Sequence, residues 1–435
     1  MRRFALQDLI DWKNKQNRKP LIVNGARQVG KTWLLQEFGK NQYKEVLYIN
    51  FERNKRIQQL FEPDLDPNRL LLGLELEHGH KIDADNTLII FDEIQTTPQA
   101  ITSLKYFYEE MPQYHIVAAG SLLGVTLHSG ISFPVGKVDR LNLYPLNFYE
   151  YLEALGQEKL VELLKSKNFE MIGVYKDTLL DYLKQYMYIG GMPEVVSAFI
   201  KNKDFNEARQ IQNHILLDYG NDFSKHIPKE TLPKVLAVWN SIPAQLAKEN
   251  KKFIYSNIVA NGRAKEFEDA ITWLIDSGLI YKVNRLSKPF LPIKGYLESN
   301  IFKLFLLDVG LLSAMSRLDR RILLEGDDLF TEFKGAITEQ YVLQEIMSLN
   351  DIEVSYWSND SGQAEVDFVV QCESNVFPIE SKAGTNLKAK SLKVYMDKYN
   401  PKFAVRTSQA DYKKTDSLYD IPLYMLENVK SFCAQ

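Results

Sequence analysis

Apolar runs short enough for buried strands recur through the first third of the chain: Leu21-Ile22-Val23, Val46 to Phe51, Leu88 to Phe91 and His115 to Ala119. Between them apolar residues return at helical spacing, as with Leu34, Leu35 and Phe38 after Lys31. Apolar strands alternating with helices predict a parallel sheet covered on both faces, because each crossover lays a helix over it. After Pro145 the pattern becomes that of long amphipathic helices, up to about Ser277, broken by the turn residues Ile189-Gly190-Gly191-Met192-Pro193. Between Thr231 and Asp308 the order reads helix, short helix, helix, then two strands. Phe267, Ala270, Ile271, Leu274 and Ile275 share one face of the third helix, which Gly278 ends. From Gly335 the spacing predicts a helix to about Leu349, strands at 352–357, 365–371 and 376–382, a helix to Tyr399 and a strand from Phe403. These changes divide the chain into an α/β region at 1–150, a helical region at 151–230, a winged-helix-like region at 231–330 and a compact α/β region at 331–435.

The first strand runs into Gly25-Ala26-Arg27-Gln28-Val29-Gly30-Lys31-Thr32, a complete P-loop pattern between a strand and a helix, followed by Trp33. Glycines let successive backbone N–H groups wrap phosphates, the helix N-terminus adds positive potential, and a lysine reaches the β and γ oxygens. Lys31 suits that task, and the Thr32 hydroxyl suits Mg²⁺. The strand Leu88-Ile89-Ile90-Phe91 ends in Asp92-Glu93, so one carboxylate arrives beside the P-loop to hold Mg²⁺ and the next can polarise water. The strand Tyr114 to Ala119 ends in Gly120-Ser121. There the Ser121 hydroxyl suits a γ-phosphate contact, and Gly-Ser equally suits an ordinary turn.

A second constellation lies near the end of the chain. Glu365-Val366-Asp367-Phe368-Val369-Val370 and Phe377-Pro378-Ile379-Glu380-Ser381-Lys382 read as two strands of a hairpin. Glu380 and Lys382, two apart, share a face, and pairing sets Asp367 roughly opposite Glu380. Two carboxylates can hold Mg²⁺ or Mn²⁺ and a lysine can act on a phosphate, which is what phosphodiester hydrolysis needs. Glu and Lys also occur as cross-strand pairs on solvated hairpins, so both readings stand.

The P-loop phrase, Arg3, Phe91-Asp92-Glu93-Ile94-Gln95, Gly120-Ser121 and Tyr144-Pro145-Leu146-Asn147-Phe148-Tyr149-Glu150 resemble the prokaryotic AAA+ ATPases that carry a nuclease-like C-terminal domain of unknown function. Ile189 to Pro193, Trp273-Leu274 with Gly278-Leu279-Ile280, and Asp308-Val309-Gly310-Leu311-Leu312 extend the resemblance over nearly the whole chain. It implies ATP and Mg²⁺ at the P-loop, a sensor role for Ser121 and possible homo-oligomers. The hairpin looks like the core of the restriction-endonuclease-like superfamily, which implies that Glu339 on the preceding helix supports a metal held by Asp367 and Glu380. The sequence departs from the family at Lys137, where an arginine usually follows the glycine and Arg140 is the nearby substitute, and at Ser358, where a basic residue is usual.

Composition narrows the partners. The 435 residues are 45% hydrophobic and 25% charged with a net charge of −3, so the whole chain has no bulk attraction for nucleic acid. From Phe377 to Lys414, however, nine basic residues face three acids, a patch suited to DNA or RNA phosphates or simply a solvated lysine-rich face. Glu266, Glu268, Asp269 and Asp276 on the third helix of the winged-helix-like region would repel phosphates there. Only Cys372 and Cys433 occur, too few for a disulfide framework, and the richest apolar stretch, Ile301 to Met315, contains Lys303 and Asp308. A cytoplasmic ATPase with no membrane segment is expected. It would couple ATP hydrolysis to a nuclease-like domain, or act as an ATP-driven switch whose C-terminal domain binds protein or nucleic acid without catalysis.

Overall fold

The computed structural model describes all residues except 122, 128–132, 249–250, 259–261, 322–330, 351 and 434–435. The chain divides into two compact units: Arg2–Tyr144 with Asp276–Gly278, and the remainder, chiefly Pro145–Ile275 and Leu279–Gln435.

The first unit is built on β1 (Leu21–Asn24), β2 (Glu45–Asn50), β3 (Thr87–Asp92), β4 (His115–Ala119) and β5 (Asp139–Asn142), parallel in the order β2-β3-β4-β1-β5. Helices α1 (Ala5–Asn14), α2 (Lys31–Gln42), α3 (Lys55–Leu60), α4 (Pro67–His78), α5 (Pro98–Glu110) and α6 (Leu123–Leu127) supply the crossovers and cover. Every residue of β3 and β4 is buried, as expected of central strands covered on both faces. Phe51, Phe61 and Phe91 meet edge to face, with centroids 5.3 to 6.0 Å apart, inside a core that includes Ile22, Leu47, Ile89 and Ile116. Because β1 is flanked by β4 and β5, the loop leaving its carboxyl end opens where the chain direction over the sheet switches, the usual place for a ligand in such sheets.

The second unit begins with helices α7 (Phe148–Ala154), α8 (Glu158–Ser166), α9 (Phe169–Val174), α10 (Lys176–Ile189), α11 (Pro193–Asn202), α12 (Phe205–His226), α13 (Leu232–Leu246) and α14 (Ala264–Asp276). Asn147 and Glu150 cap α7 reciprocally, Asn147 Oδ1 accepting from the Glu150 N–H at 2.8 Å. In α14, Phe267, Ala270, Ile271 and Leu274 are buried while Glu266, Glu268 and Asp269 are exposed. Then follow β6 (Ile280–Leu286), β7 (Leu297–Leu306), α15 (Val309–Met315), α16 (Thr331–Met347), β8 (Ile352–Ser358), β9 (Glu365–Cys372), β10 (Asn375–Ser381), α17 (Lys390–Tyr399), β11 (Ala404–Ser408), β12 (Lys413–Thr415) and β13 (Leu418–Pro422). All eight of these strands form one sheet, ordered β12-β13-β11-β10-β9-β8-β6-β7. The β6–β7 hairpin is therefore no free wing: β6 pairs in parallel with β8 through Arg285 and Tyr356, and through Leu286 and Trp357. Element order along the chain could not reveal that long-range pairing.

The turn at Gly190-Gly191 and the start of α15 cross at close quarters. A Cβ on Gly190 would lie 2.3 Å from Asp308 Oδ1, and one on Gly310 would lie 2.4 Å from the Ile189 carbonyl. Buried Asp308 accepts from the N–H groups of Gly191 at 2.6 Å and Leu311 at 2.9 Å, capping α15 and pinning the turn together. On α16, Gln340 bonds both backbone groups of Leu306 at 2.9 and 2.6 Å, and Gln344 accepts from Val309 N–H at 2.7 Å. These amides fix α16 against the end of β7. Among the described residues no helix is long and apolar enough to cross a membrane. Cys372 is disulfide-bonded, a pairing that so sparse a cysteine content gave no reason to expect.

Candidate nucleotide site and carboxylate–lysine cluster

The P-loop leaves β1 through backbone conformations that its residues are chosen to allow. Gly25 has φ +150° and Gly30 φ +94°, and a Cβ on Gly25 would lie 2.4 Å from the Leu143 carbonyl. Ala26 and Val29 are buried, Arg27 is half-buried, and Gln28 and Trp33 are exposed. Arg3 braces the loop from α1's side, donating to the carbonyls of Val29 at 3.0 Å and Tyr144 at 2.6 Å. Lys31 opens α2 and is buried. Its ammonium donates to the carbonyls of Gly25 and Ala26 at 2.8 and 2.7 Å, inside the curve of the loop. Burial lowers Lys31 to about 8 against the opposing pull of Glu93 and Asp92.

Strand β3 delivers Asp92 to Thr32, whose hydroxyl donates to Asp92 Oδ2 at 2.8 Å. A hydroxyl and a buried carboxylate in contact beside a P-loop fit Mg²⁺, which is held by few protein oxygens and otherwise by water and phosphates. Tyr48 from β2 donates to the same Asp92 oxygen at 2.6 Å, and burial followed by that bond raises Tyr48 to about 12. Glu93 follows in the left-handed region at φ +51°, turned toward two donors. Gln95 Nε2 lies 2.6 Å from Glu93 Oε2, and Ser121 Oγ lies 3.3 Å from Oε1. Lys31, Thr32, Asp92, Glu93 and Ser121, the residues to which the sequence points, lie together here, joined by the side chains of Tyr48 and Gln95. Tyr48 shows only as a polar-tipped side chain at an alternating position of β2. Lys137 is engaged by Glu109 at 2.9 Å, and the Arg140 guanidinium sits 4.6 Å over the Phe133 ring.

In the second unit β9 and β10 pair with Phe368 opposite Ile379, so Asp367 and Glu380 come next along the two strands. Asp367 Oδ2 accepts from the backbone and hydroxyl of Ser381 at 2.8 and 2.7 Å. Buried Glu380 receives the Lys382 ammonium on Oε1 at 2.7 Å, while its Oε2 is buried without a hydrogen-bond partner. Burial, then the Asp367 charge, holds Glu380 well above the usual carboxylate range. Glu339 from α16 is also buried and shifted upward, by burial and then Asp367, so three acids interact here.

Two further lysines enter that cluster. Lys303 of β7 is fully buried, with its ammonium 2.6 Å from Glu365 Oε1, 3.8 Å from Glu339 Oε2 and 4.7 Å over the Tyr356 ring. Burial works against its charge, but Glu365, Glu339 and Asp367 outweigh that and hold the lysine above its ordinary value. Lys251, in the segment after α13, is paired with Glu339 Oε1. Glu339 Oε2 has no hydrogen bond. Orphaned buried oxygens on Glu339 and Glu380 suit a cation. Even so, among the described residues the one group of three whose ligand atoms all lie within 4.8 Å is Glu45, His78 and His80 in the first unit. Around the cluster's strands the basic segment stands in solvent: Lys388, Lys390, Lys393, Lys398, Lys402, Lys413 and Lys414 are exposed, while Arg406 is paired with Asp420 at 2.6 Å.

The parallel sheet, the P-loop and the acids at the end of β3 define a P-loop ATPase domain of the AAA type within residues 17–152, equipped to bind and hydrolyse ATP. Residues 17–152 match the AAA domain family, residues 180–321 match a domain of unknown function, DUF8612, and residues 334–426 match another, DUF4143. Among solved structures, a Walker-type ATPase of Pyrococcus abyssi is 14% identical with TM-score 0.47, the match covering 73% of this chain and 95% of that one. The Aeropyrum pernix ORC1 protein in complex with DNA is 13% identical with TM-score 0.28, covering 72% and 91%. Comparison with curated proteins returns no match.

Proposed function

We propose that the chain is a Mg²⁺-dependent ATPase whose nucleotide cycle governs a nuclease-like, nucleic-acid-binding C-terminal region. In the first site the P-loop amides from Gly25 to Thr32 and the Lys31 ammonium bind the phosphates, and Thr32 and Asp92 hold Mg²⁺. When bound, the metal neutralises phosphate charge. Glu93 accepts a proton from the attacking water at its carboxylate, and Gln95 and Ser121 orient that carboxylate. Phosphate charge would offset the cost of burying the Lys31 ammonium.

In the second site the supporting observation is the convergence of Asp367, Glu380, Lys382 and Glu339 from two strands and a helix, with two buried carboxylate oxygens left unbonded. Asp367 and Glu380 would hold a divalent cation with Glu339 in support, and Lys382 would act on the phosphate. The exposed lysines from Lys388 to Lys414 favour a polyanion over a neutral substrate. One observation favours a non-catalytic binding platform: lysine ammoniums already sit on Glu339, Glu365 and Glu380.

Cleavage of linear and supercoiled DNA and of RNA, with Mg²⁺ or Mn²⁺ and with or without ATP, separates the two. Loss of metal-dependent cleavage in both Asp367→Ala and Glu380→Ala supports the nuclease reading. Absence of any cleavage by the parent chain, with nucleic acid still bound, refutes it in favour of the platform.

A further inference from the structure

The cluster around β9 and β10 holds more cation than a metal-dependent nuclease site needs, and its charge balance limits what else can enter. Four carboxylates, Glu339, Glu365, Asp367 and Glu380, face three ammoniums, Lys251, Lys303 and Lys382. One negative charge remains uncompensated in a cluster whose groups are buried or half-buried. A divalent cation added to the cluster as it stands would leave one positive charge in excess. Replacing one ammonium with one divalent cation leaves none, and a second divalent cation would again overshoot.

The three lysines are not equally replaceable. Lys303 is fully buried in β7, held by Glu365 at 2.6 Å, by the Tyr356 ring, and by a strand whose end Gln340 fixes on both backbone groups of Leu306. Removing it would require unpacking the strand. Lys382, just past β10, has 29% side-chain exposure and sits 2.7 Å from Glu380, but its backbone is held in the sheet by an N–H bond to the Thr407 carbonyl at 2.8 Å. Lys251 sits on an irregular segment, keeps 12% side-chain exposure, and covers Glu339, the carboxylate whose other oxygen is unbonded. Swinging that side chain, which no strand holds, frees Glu339 Oε1 and leaves Oε2 with Lys303 alone at 3.8 Å.

We propose that this site takes one divalent cation, Mg²⁺ or Mn²⁺, in exchange for the Lys251 ammonium, with Lys303 staying as a fixed second cation. The inference rests on the nuclease-like reading above and adds the number of metals and the group that competes for their place. Lys303 thereby becomes a positioning residue: it holds Glu365 and Glu339 at a set separation and supplies positive charge where a second metal would otherwise be needed.

Mn²⁺ titration of the full chain by electron paramagnetic resonance, without nucleotide or nucleic acid, reads this directly, and only binding lost in Asp367→Ala is counted. The expected result is one such ion per chain and about tenfold tighter binding in Lys251→Gln, since a competing charge is gone. Lys251→Arg, which keeps the charge, should bind like the parent, and Lys251→Ala should follow Lys251→Gln. Two Asp367-dependent ions per chain, equal or weaker binding in both neutral variants, or no Asp367-dependent ion in any of them overturns the exchange. A chain that binds one exchanged Mn²⁺ yet cuts no nucleic acid sinks the nuclease reading alone. A chain that cuts with two Asp367-dependent ions sinks the exchange alone.

Discussion

Nucleotide affinity should fall with rising pH because of Lys31. Its ammonium is buried inside the P-loop, donating to the carbonyls of Gly25 and Ala26, and burial lowers it to about 8. A bound polyphosphate brings negative charge into the same curve and holds the ammonium protonated well above that value. Binding therefore takes up a proton once the free protein has lost one. The apparent dissociation constant scales as one plus the ratio of neutral to charged lysine, which gives roughly tenfold weaker binding at pH 9 than at pH 7. The sign is fixed: affinity is full below about pH 8 and is lost as pH rises through it. Calorimetric titration with ADP from pH 7 to 9.5 at constant ionic strength measures the slope. Lys31→Arg, always charged in this range, should bind with no comparable slope. A parent curve as flat as the arginine variant's, or one that tightens toward pH 9, would refute the argument.

Gly25→Ala should weaken ATP binding at least tenfold, and lower stability by about 1–3 kcal/mol, because its Cβ would lie 2.4 Å from the Leu143 carbonyl in a backbone region that side chains rarely adopt; calorimetry and thermal unfolding read the two effects. Gln95→Leu and Ser121→Ala should lower kcat for ATP by about tenfold with KM nearly unchanged, since each removes a donor from Glu93 without touching the loop; a rise in KM alone in steady-state phosphate release would contradict that assignment. Burial raises Asp308 to about 6, so the folded chain holds a proton between about pH 4 and 6 that the unfolded chain releases. Its contribution to stability therefore declines as pH rises through that window, by about 3 kcal/mol in total. Urea unfolding of Asp308→Asn should show that part of the slope removed.

The P-loop, the acids after β3 and the pairing of Asp367 with Glu380 were legible because each depends on local order: a strand, a turn, a fixed spacing. The lysines around Glu339 were not. Lys251 and Lys303 come from other segments of the chain and reach the cluster through long-range packing, above all the parallel pairing of β6 with β8. A signal existed for Lys303 all the same. It stands in the apolar run from Ile301 to Met315, where a charge that stays inside must find a partner. Asp308, in the same run, obeys the same rule by capping α15 and holding the Gly190-Gly191 turn. Tyr48 and Gln95 were hidden for a simpler reason, since a tyrosine tip and a glutamine two residues past a carboxylate fit solvent as readily as a site.

The central claim is that ATP hydrolysis in the first unit governs the carboxylate–lysine site in the second. Phosphate release and nucleic-acid cleavage followed in one reaction by the parent and by Glu93→Gln test it most directly. Glu93→Gln should retain ATP binding, lose phosphate release about 100-fold, and show cleavage that no longer responds to ATP as the parent's does. Cleavage with the same ATP response in both, or phosphate release that survives the substitution, would contradict the account.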